Sequence, residues 1–546
     1  MISLKDVSYK VESEDGDPVE ILSNVNLVIK RGEKVALMGA NGTGKTTLAR
    51  LLAGVLTPSS GTVEIEYQNT SNPEFRKNLG RKVGLLFQNP DHQIVSVNVE
   101  RELALGPENY GYSSDEIHAM IQEYMDRYSL EAVLKSHPHK LSGGEKRRLG
   151  LASVMILEPD ILILDEPMAH LDMVGRMLFK EELNKILQDD FMTLIYITQN
   201  LEEVLDFDRL VVMNGGHIRK ASSVAEALNE GKDLEKYGIE FPIRLEFEKD
   251  NSIDRQVIKD KIRSLDLEKK SNEESKIVLE CNYISFGWKG RNRIISDLNL
   301  KLFAGKVHGL LGPTGCGKTT LALLLGGLIE PENGRIELNG VNANQSDLIR
   351  DVSYIFQNPE RGMFAETVFE DIAYGPKNFG YSGGSLSEAV KNAFNLVGLD
   401  IDRFKDRSPH TLSGGEARLA AIAGGIASNK NIIIMDEPTE ELDLMGRKRI
   451  KAIVEKSAHD GKTVFLISHD SDFLFEVCDY LMIWRDSAID FHKKIDLYGS
   501  PDIFENAQVE MPKILQFANR LQLMPDFMAA GISTLSDLHS ILPPKN

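Results

Sequence analysis

Cysteine is nearly absent, with Cys281, Cys316 and Cys478 in 546 residues and no CxxC spacing. That excludes a disulfide framework and a cysteine-bound structural zinc, and it points to a reducing compartment. Inside its glycine-rich loop, Cys316 reads as a small residue that fits. Positive charge is in deficit: 63 Lys and Arg stand against 82 Asp and Glu, a formal net charge of −19. Such a balance argues against a surface made to follow nucleic-acid phosphates or acidic lipid. No uninterrupted apolar window of about 18 residues occurs, so no segment reads as a membrane span. Met1–Asp6 lacks the basic and then apolar run of a signal peptide, and none is expected. What remains is an ordinary globular composition, long enough for at least two domains with substantial cores.

Two glycine-rich stretches organise that length. Gly39, Ala40, Asn41, Gly42, Thr43, Gly44, Lys45 and Thr46 follow the apolar Val35–Met38. Gly312, Pro313, Thr314, Gly315, Cys316, Gly317, Lys318 and Thr319 follow Val307–Leu311 and precede the helix-favouring Leu321–Leu325. Each is a strand, a turn and a helix start in the pattern GxxxxGK[ST], the phosphate-binding P-loop. Glycines let successive N–H groups curl around an anion, and the helix N-terminus adds its dipole. The lysine reaches the outer phosphates and the threonine can ligate Mg²⁺. Thr47 and Thr320 extend the same cradle. The two lysines are 273 positions apart, so the chain reads as two copies of one nucleotide-binding unit.

Other motifs recur in the same order and at nearly constant offset. Gln88 and Gln357 follow short apolar strands, Val83–Phe87 in the first copy. Leu141–Glu145 and Leu412–Glu416 each read LSGGE ahead of a helix. The serine and glutamate could form a capping box there, and the free N–H groups of a helix start could also face a phosphate. Asp165 with Glu166, and Asp436 with Glu437, end buried-strand runs. Their aspartates can hold Mg²⁺ and their glutamates can polarise an attacking water. The strand after each ends at Gln199 in the first copy and at His469 in the second. Between these motifs, Ile117, Met120, Ile121 and Tyr124 predict a helix over 113–134. Strand and helix alternation of this kind predicts a parallel sheet covered by helices.

Copy boundaries follow from the repeat. The first domain is expected over 1–240 and the second over 276–510. A C-terminal appendage of the first copy plus a linker is expected over 241–275, and the appendage of the second over 511–546. Phe241-Pro242-Ile243 is in register with Met511-Pro512-Lys513, while the Glu-, Lys-, Asp- and Ser-rich composition of 229–276 also reads as solvated linker. The true linker is expected at about Glu268–Lys276.

P-loop, glutamine, LSGGE, Asp-Glu and terminal histidine in this order resemble the ATPase subunit of ABC transporters over nearly all of both copies. The resemblance implies an α/β fold of two P-loop NTPase (RecA-like) ABC ATPase domains, each with an antiparallel β subdomain and an α-helical subdomain. It implies ATP and Mg²⁺ as cofactors, with Thr46, Gln88, Asp165, Thr319, Gln357 and Asp436 around the metal. Family members pack their units head to tail. One site would thus join Gly39–Thr46, Gln88, Asp165, Glu166 and Gln199 to Ser413, Gly414 and Gly415. Its twin would join Gly312–Thr319, Gln357, Asp436, Glu437 and His469 to Ser142, Gly143 and Gly144. Gln199 departs from the family histidine, so the first site is expected to be slow rather than empty. Trp288 stands where the family places its adenine-stacking aromatic, although a plain surface or core role also fits it. Val11 is its counterpart, leaving Tyr9 as a doubtful substitute.

A narrower resemblance extends past the glutamines. Phe87–Gln93 with Leu105–Gly111, echoed by Phe356–Glu360 with Tyr374–Gly380, is similar to the energy-coupling factor group, whose ATPases drive uptake of vitamins or of cobalt and nickel ions. It implies a peripheral subunit on the cytoplasmic face of the membrane, working with transmembrane coupling and substrate-binding subunits. No nucleic acid is expected as a partner. A tandem ABC protein acting on ribosomes or DNA is the rival class, and it would call for a basic surface or a basic inter-domain insertion. A regulator that binds ATP without turnover conflicts with the complete second set of motifs.

Overall fold

A computed structural model of the chain describes residues 1–12, 18–169, 171, 173–242, 245, 255–263, 276–288, 293–357, 362–440, 442–486, 488–534 and 537–538. It divides into two compact units, Met1–Pro242 and Ile243–Asn546.

In the first unit the strands Lys34–Met38, Ile161–Asp165 and Thr193–Ile197 are buried at every position. Runs apolar on both faces suit the middle of a covered parallel sheet, and that is where they lie. The order across the six-stranded sheet is His217–Ser223, Arg209–Asn214, Lys34–Met38, Thr193–Ile197, Ile161–Asp165, Val83–Leu86. All pairs are parallel except the edge hairpin of the first two. A second, antiparallel sheet of four strands holds Ile2–Glu12 between Pro18–Ile29 and Ser60–Ile65. Strand-neighbour order now explains the site. The P-loop, Gln199, Asp165 and Gln88 follow or close the C-terminal ends of four successive strands, which places them along one edge of the parallel sheet.

The helical region includes Val99–Asn109, Ser114–Tyr128 and Gly143–Met155. The helix expected over 113–134 starts at a capping box, with Ser113 bonded to the Glu116 N–H and Glu116 returning to the Ser113 N–H. It stops early because Ser129 turns left-handed, at φ 52°.

The second unit repeats the plan, with Val307–Leu311 between Thr463–Ile467 and Tyr480–Arg485, and Ile432–Asp436 between Thr463–Ile467 and Val352–Ile355. Its four-stranded sheet pairs Ile277–Gly287 with Arg293–Phe303 and Asn333–Leu338. Beyond it, the helices Lys513–Arg520 and Met524–Ala530 belong to the expected appendage 511–546 and bury Leu515, Phe517, Met524 and Phe527 in the unit's core.

Of the stretch 241–275, the helix Arg255–Arg263 packs within the second unit, against Met524–Ala530. Ile258 and Ile262 are buried in the same core as Leu523 and Phe527. The two isoleucines sit four apart, on one face of the helix, and that apolar face needs a partner despite the charged composition around it. The expected linker residues 268–275 lie outside the described residues, as do residues 13–17. Among the described residues no helix is long and apolar enough to cross a membrane.

Candidate functional site

Both glycine-rich stretches fold as the sequence requires. Gly39 has φ 145°, and a Cβ there would meet the Met213 carbonyl oxygen at 2.2 Å, so only glycine lets the loop pass the sheet. Gly317 has φ 115°, with Ile294 Cγ2 at 2.7 Å from the position of a Cβ. Each loop runs into a helix, Lys45–Leu52 or Lys318–Leu325, neither with a side-chain cap at its start. The lysines arch back over their loops: Lys45 Nζ donates to the Gly39 and Ala40 carbonyls at 2.8 Å, and Lys318 Nζ to Gly312 and Pro313 at 2.7 and 2.9 Å. An ammonium held above a ring of N–H groups suits the outer phosphates of a nucleotide.

Beside each loop lies a buried aspartate. Burial pushes the carboxyl of Asp165 up, against the pull of the Thr46 hydroxyl and the Lys45 charge. Burial likewise raises Asp436, opposed first by hydrogen bonds from Thr319 and Tyr354. Asp436 Oδ1 is buried with no hydrogen-bond partner among the described residues. A desolvated carboxylate next to a P-loop threonine, with an oxygen left over, fits a hard divalent cation with oxygen ligands. Asp165 with Thr46, and Asp436 with Thr319, would hold Mg²⁺, which would supply charge neutralisation at the phosphates.

The glutamates that follow carry backbone strain, with φ 43° at Glu166 and φ 50° at Glu437. Non-glycine residues occupy that region at a cost and are held there by their surroundings. Here the copies part. Gln88 Nε2 donates to Glu166 Oε2 at 3.2 Å and Gln199 Nε2 to Glu166 Oε1 at 3.1 Å, so two amides hold one carboxylate. Gln199 also donates to Asn41 in the P-loop at 2.6 Å. In the second copy the His469 N–H donates to Glu437 Oε2 at 3.1 Å, and His469 Nε2 lies 3.4 Å from Oε1. Gln357 turns elsewhere and donates to Glu440 at 3.0 Å. Burial, and then the Glu440 charge, push Glu437 up to about 8.

The LSGGE segments form capping boxes: Ser142 and Ser413 take the N-cap, bonded reciprocally to Glu145 and Glu416. Gly143, Gly144, Gly414 and Gly415 form the first turn of each helix. The serine cap is compatible with the other reading, since it leaves first-turn N–H groups without an intrahelical partner. Trp288 is 40 % exposed, one residue past the Gly287–Arg293 pair and edge-on to Phe286. Its strand end neighbours Ile294, which touches the P-loop at Gly317. Val11, its counterpart, is also exposed, whereas Tyr9 is partly buried against the first unit's core.

Motif reading missed four residues. Tyr354 donates to Asp436 Oδ2 at 3.1 Å, where the first copy has Leu85. Glu440 takes Gln357, where the first copy has Ala169. Arg147 and Arg418 are buried in the helices behind LSGGE and bond to carbonyls of the glutamine and glutamate segments. A charge recurring at one offset inside two buried helix faces was the available signal for the arginines.

A parallel sheet with a P-loop after one inner strand and an acidic pair at the end of the strand next but one to it defines a P-loop nucleoside triphosphatase. The ABC transporter family model matches residues 22–169 and again 295–440. The chain belongs to that family as a tandem ATPase, binding ATP with Mg²⁺ and hydrolysing it. It is 29% identical over 552 residues to a protein named as an ABC transporter ATP-binding protein of Caldanaerobacter subterraneus subsp. tengcongensis, covering 95% of this chain and 96% of that one. It is 31% identical over 483 residues to one so named from Methanosarcina mazei, covering 86% and 90%. Among solved structures, an archaeal ribosome recycling factor in complex with a ribosomal stalk protein matches with a TM-score of 0.55 over 87% of both chains. At 21% identity that likeness shows the fold alone.

Proposed function

We propose that this chain energises a membrane importer of the energy-coupling factor type, taking up a vitamin or cobalt or nickel ions, from the cytoplasmic face of the membrane. Relatives named as transporter ATP-binding proteins support the transport reading. The observation that carries it is apolar surface just past each glutamine: Val95 and Val97 are 73% and 64% exposed, and Phe364 and Tyr374 are 64% and 51% exposed. Large apolar groups left in water beside a catalytic loop suit the apolar face of a partner's helix. Residues 358–361, part of the expected energy-coupling factor signature, lie outside the described residues.

In this reading the copies pair head to tail. Ser142–Gly144 complete the site of Lys318, Gln357, Asp436, Glu437 and His469, and Ser413–Gly415 complete the site of Lys45, Gln88, Asp165, Glu166 and Gln199. Glu437 is the general base and His469 contacts the γ-phosphate. Trp288 stacks on adenine. Joining both copies in one chain fixes their ratio and keeps each close to its partner. The second site turns over and the first is slow.

Purification of the tagged chain from its source membranes in mild detergent tests the transport role. A hydrophobic membrane subunit in fixed ratio is expected, and its release by Val95→Asp with Phe364→Asp. Salt-dependent association with ribosomes and no membrane partner would overturn the proposal in favour of the ribosome-acting class.

A further inference from the structure

Arg147 and Arg418 stand at the same place in the two copies, two residues after the capping glutamate of each LSGGE helix. They are 2% and 6% exposed. Their bonds join three separate stretches of chain. Arg147 Nη1 donates to the Phe87 carbonyl at 2.7 Å, and Nη2 to Gln88 at 2.7 Å and to Glu166 and Ala169 at 3.4 Å. Arg418 Nη2 donates to the Gln357 carbonyl at 2.9 Å, and Nη1 to Glu437 at 3.0 Å and to Glu440. Every one of these acceptors is a backbone carbonyl. Placing a cation there costs desolvation that such bonds offset only in part, and burial lowers Arg147 to about 10. Side-chain truncation in a core would be the cheaper solution for packing alone. What the guanidinium supplies is a planar fork that fixes two backbone segments against one helix at once.

We infer that Arg147 and Arg418 are positioning residues that tie the start of each LSGGE helix to the glutamine and glutamate of the same copy, so that displacement of the helix start moves both. Taken with the head-to-tail reading above, on which this step rests, the nucleotide at one site sets the geometry of the acidic pair at the other. Arg418 carries the larger share, because it holds Glu437. Neither arginine touches substrate.

A double-mutant cycle tests this on the full chain. In a Glu166→Gln background, which leaves turnover to Glu437, Ser413→Ala is expected to lower kcat several-fold. Arg418→Lys keeps the charge but loses the fork, and should lower kcat roughly 10- to 100-fold by misplacing Glu437. Binding of a fluorescent ATP analogue should stay within about twofold, since the P-loop is untouched. Adding Ser413→Ala to Arg418→Lys should then cost nothing further. Additive losses would overturn the tie. A parent chain with no ATPase would instead sink the functional reading. If Arg418→Lys fails to fold, hydrogen exchange in Lys45→Ala with ATP and EDTA decides. Nucleotide then fills the second P-loop alone, and slowed exchange at 87–93 and 166–169 of the first copy is expected. Unchanged exchange there would overturn the inference.

Discussion

The two copies share a sheet order, a P-loop and a buried aspartate, and differ in what surrounds the glutamate. Glu166 is held by two neutral amides, Gln88 and Gln199. Glu437 is buried, faces His469 and stands near Glu440, which has drawn Gln357 away. An amide can donate a hydrogen bond but cannot take up a proton at neutral pH, whereas imidazole can do both. The same scaffold thus carries one carboxylate held by two amides and another whose ionisation is opposed by burial and by the Glu440 charge. Four experiments sharpen or break that contrast.

The largest effect is expected at the glutamates. Glu437→Gln should lower steady-state ATPase by roughly 10²- to 10⁴-fold, as loss of a general base does, while Glu166→Gln should lower it only a few-fold. Equal losses would make the sites equivalent. Next comes the residue beyond the last core strand. His469→Gln copies the first site into the second and should cost about 10- to 100-fold in kcat, less than outright loss of a preorganised donor. Gln199→His should raise turnover measured in a Glu437→Gln background. No gain there would mean that something other than Gln199 slows the first site.

A smaller effect is expected at Tyr354. Tyr354→Phe removes the hydroxyl that orients Asp436 and should weaken Mg²⁺ binding several-fold, read by metal titration with a bound fluorescent nucleotide. Leu85→Tyr in the first copy is the reciprocal change.

The smallest effect is on stability. Burial and the Glu440 charge push the carboxyl of Glu437 up to about 8 from an ordinary value of 4.5. Its contribution is therefore complete below about 4.5 and is lost as pH rises through about 8. In metal- and nucleotide-free protein, Tm of Glu437→Gln relative to the parent should climb by a few degrees between pH 6 and about 9. Glu440→Ala should move the midpoint of that climb to lower pH, because the Glu440 charge is the second cause of the shift. A difference flat with pH would remove the proposed titration.

Much of this was legible without coordinates. The runs Lys34–Met38, Ile161–Asp165 and Thr193–Ile197 are apolar nearly throughout, and that alone marks strands covered on both faces. The P-loops needed glycine where a Cβ would strike Met213 or Ile294. LSGGE carried its own cap, with serine and glutamate three residues apart. In each case the determining interaction lies within a few residues, so it is written in the local pattern. The packing of helix Arg255–Arg263 is not written locally, because its apolar face is two residues wide and its partner, Met524–Ala530, is far along the chain.

By itself, then, the sequence determined the two α/β units, the P-loops, the acidic pairs and their order, because backbone conformation and strand burial follow from near neighbours. Tertiary structure decided the rest. Gln357 pairs with Glu440 across 83 positions, Tyr354 with Asp436 across 82, and Arg147 with Gln88 across 59. A buried polar group takes whichever partner the fold brings within reach, since going unpaired costs more than any local preference returns. The unequal surroundings of Glu166 and Glu437 come from those long-range choices.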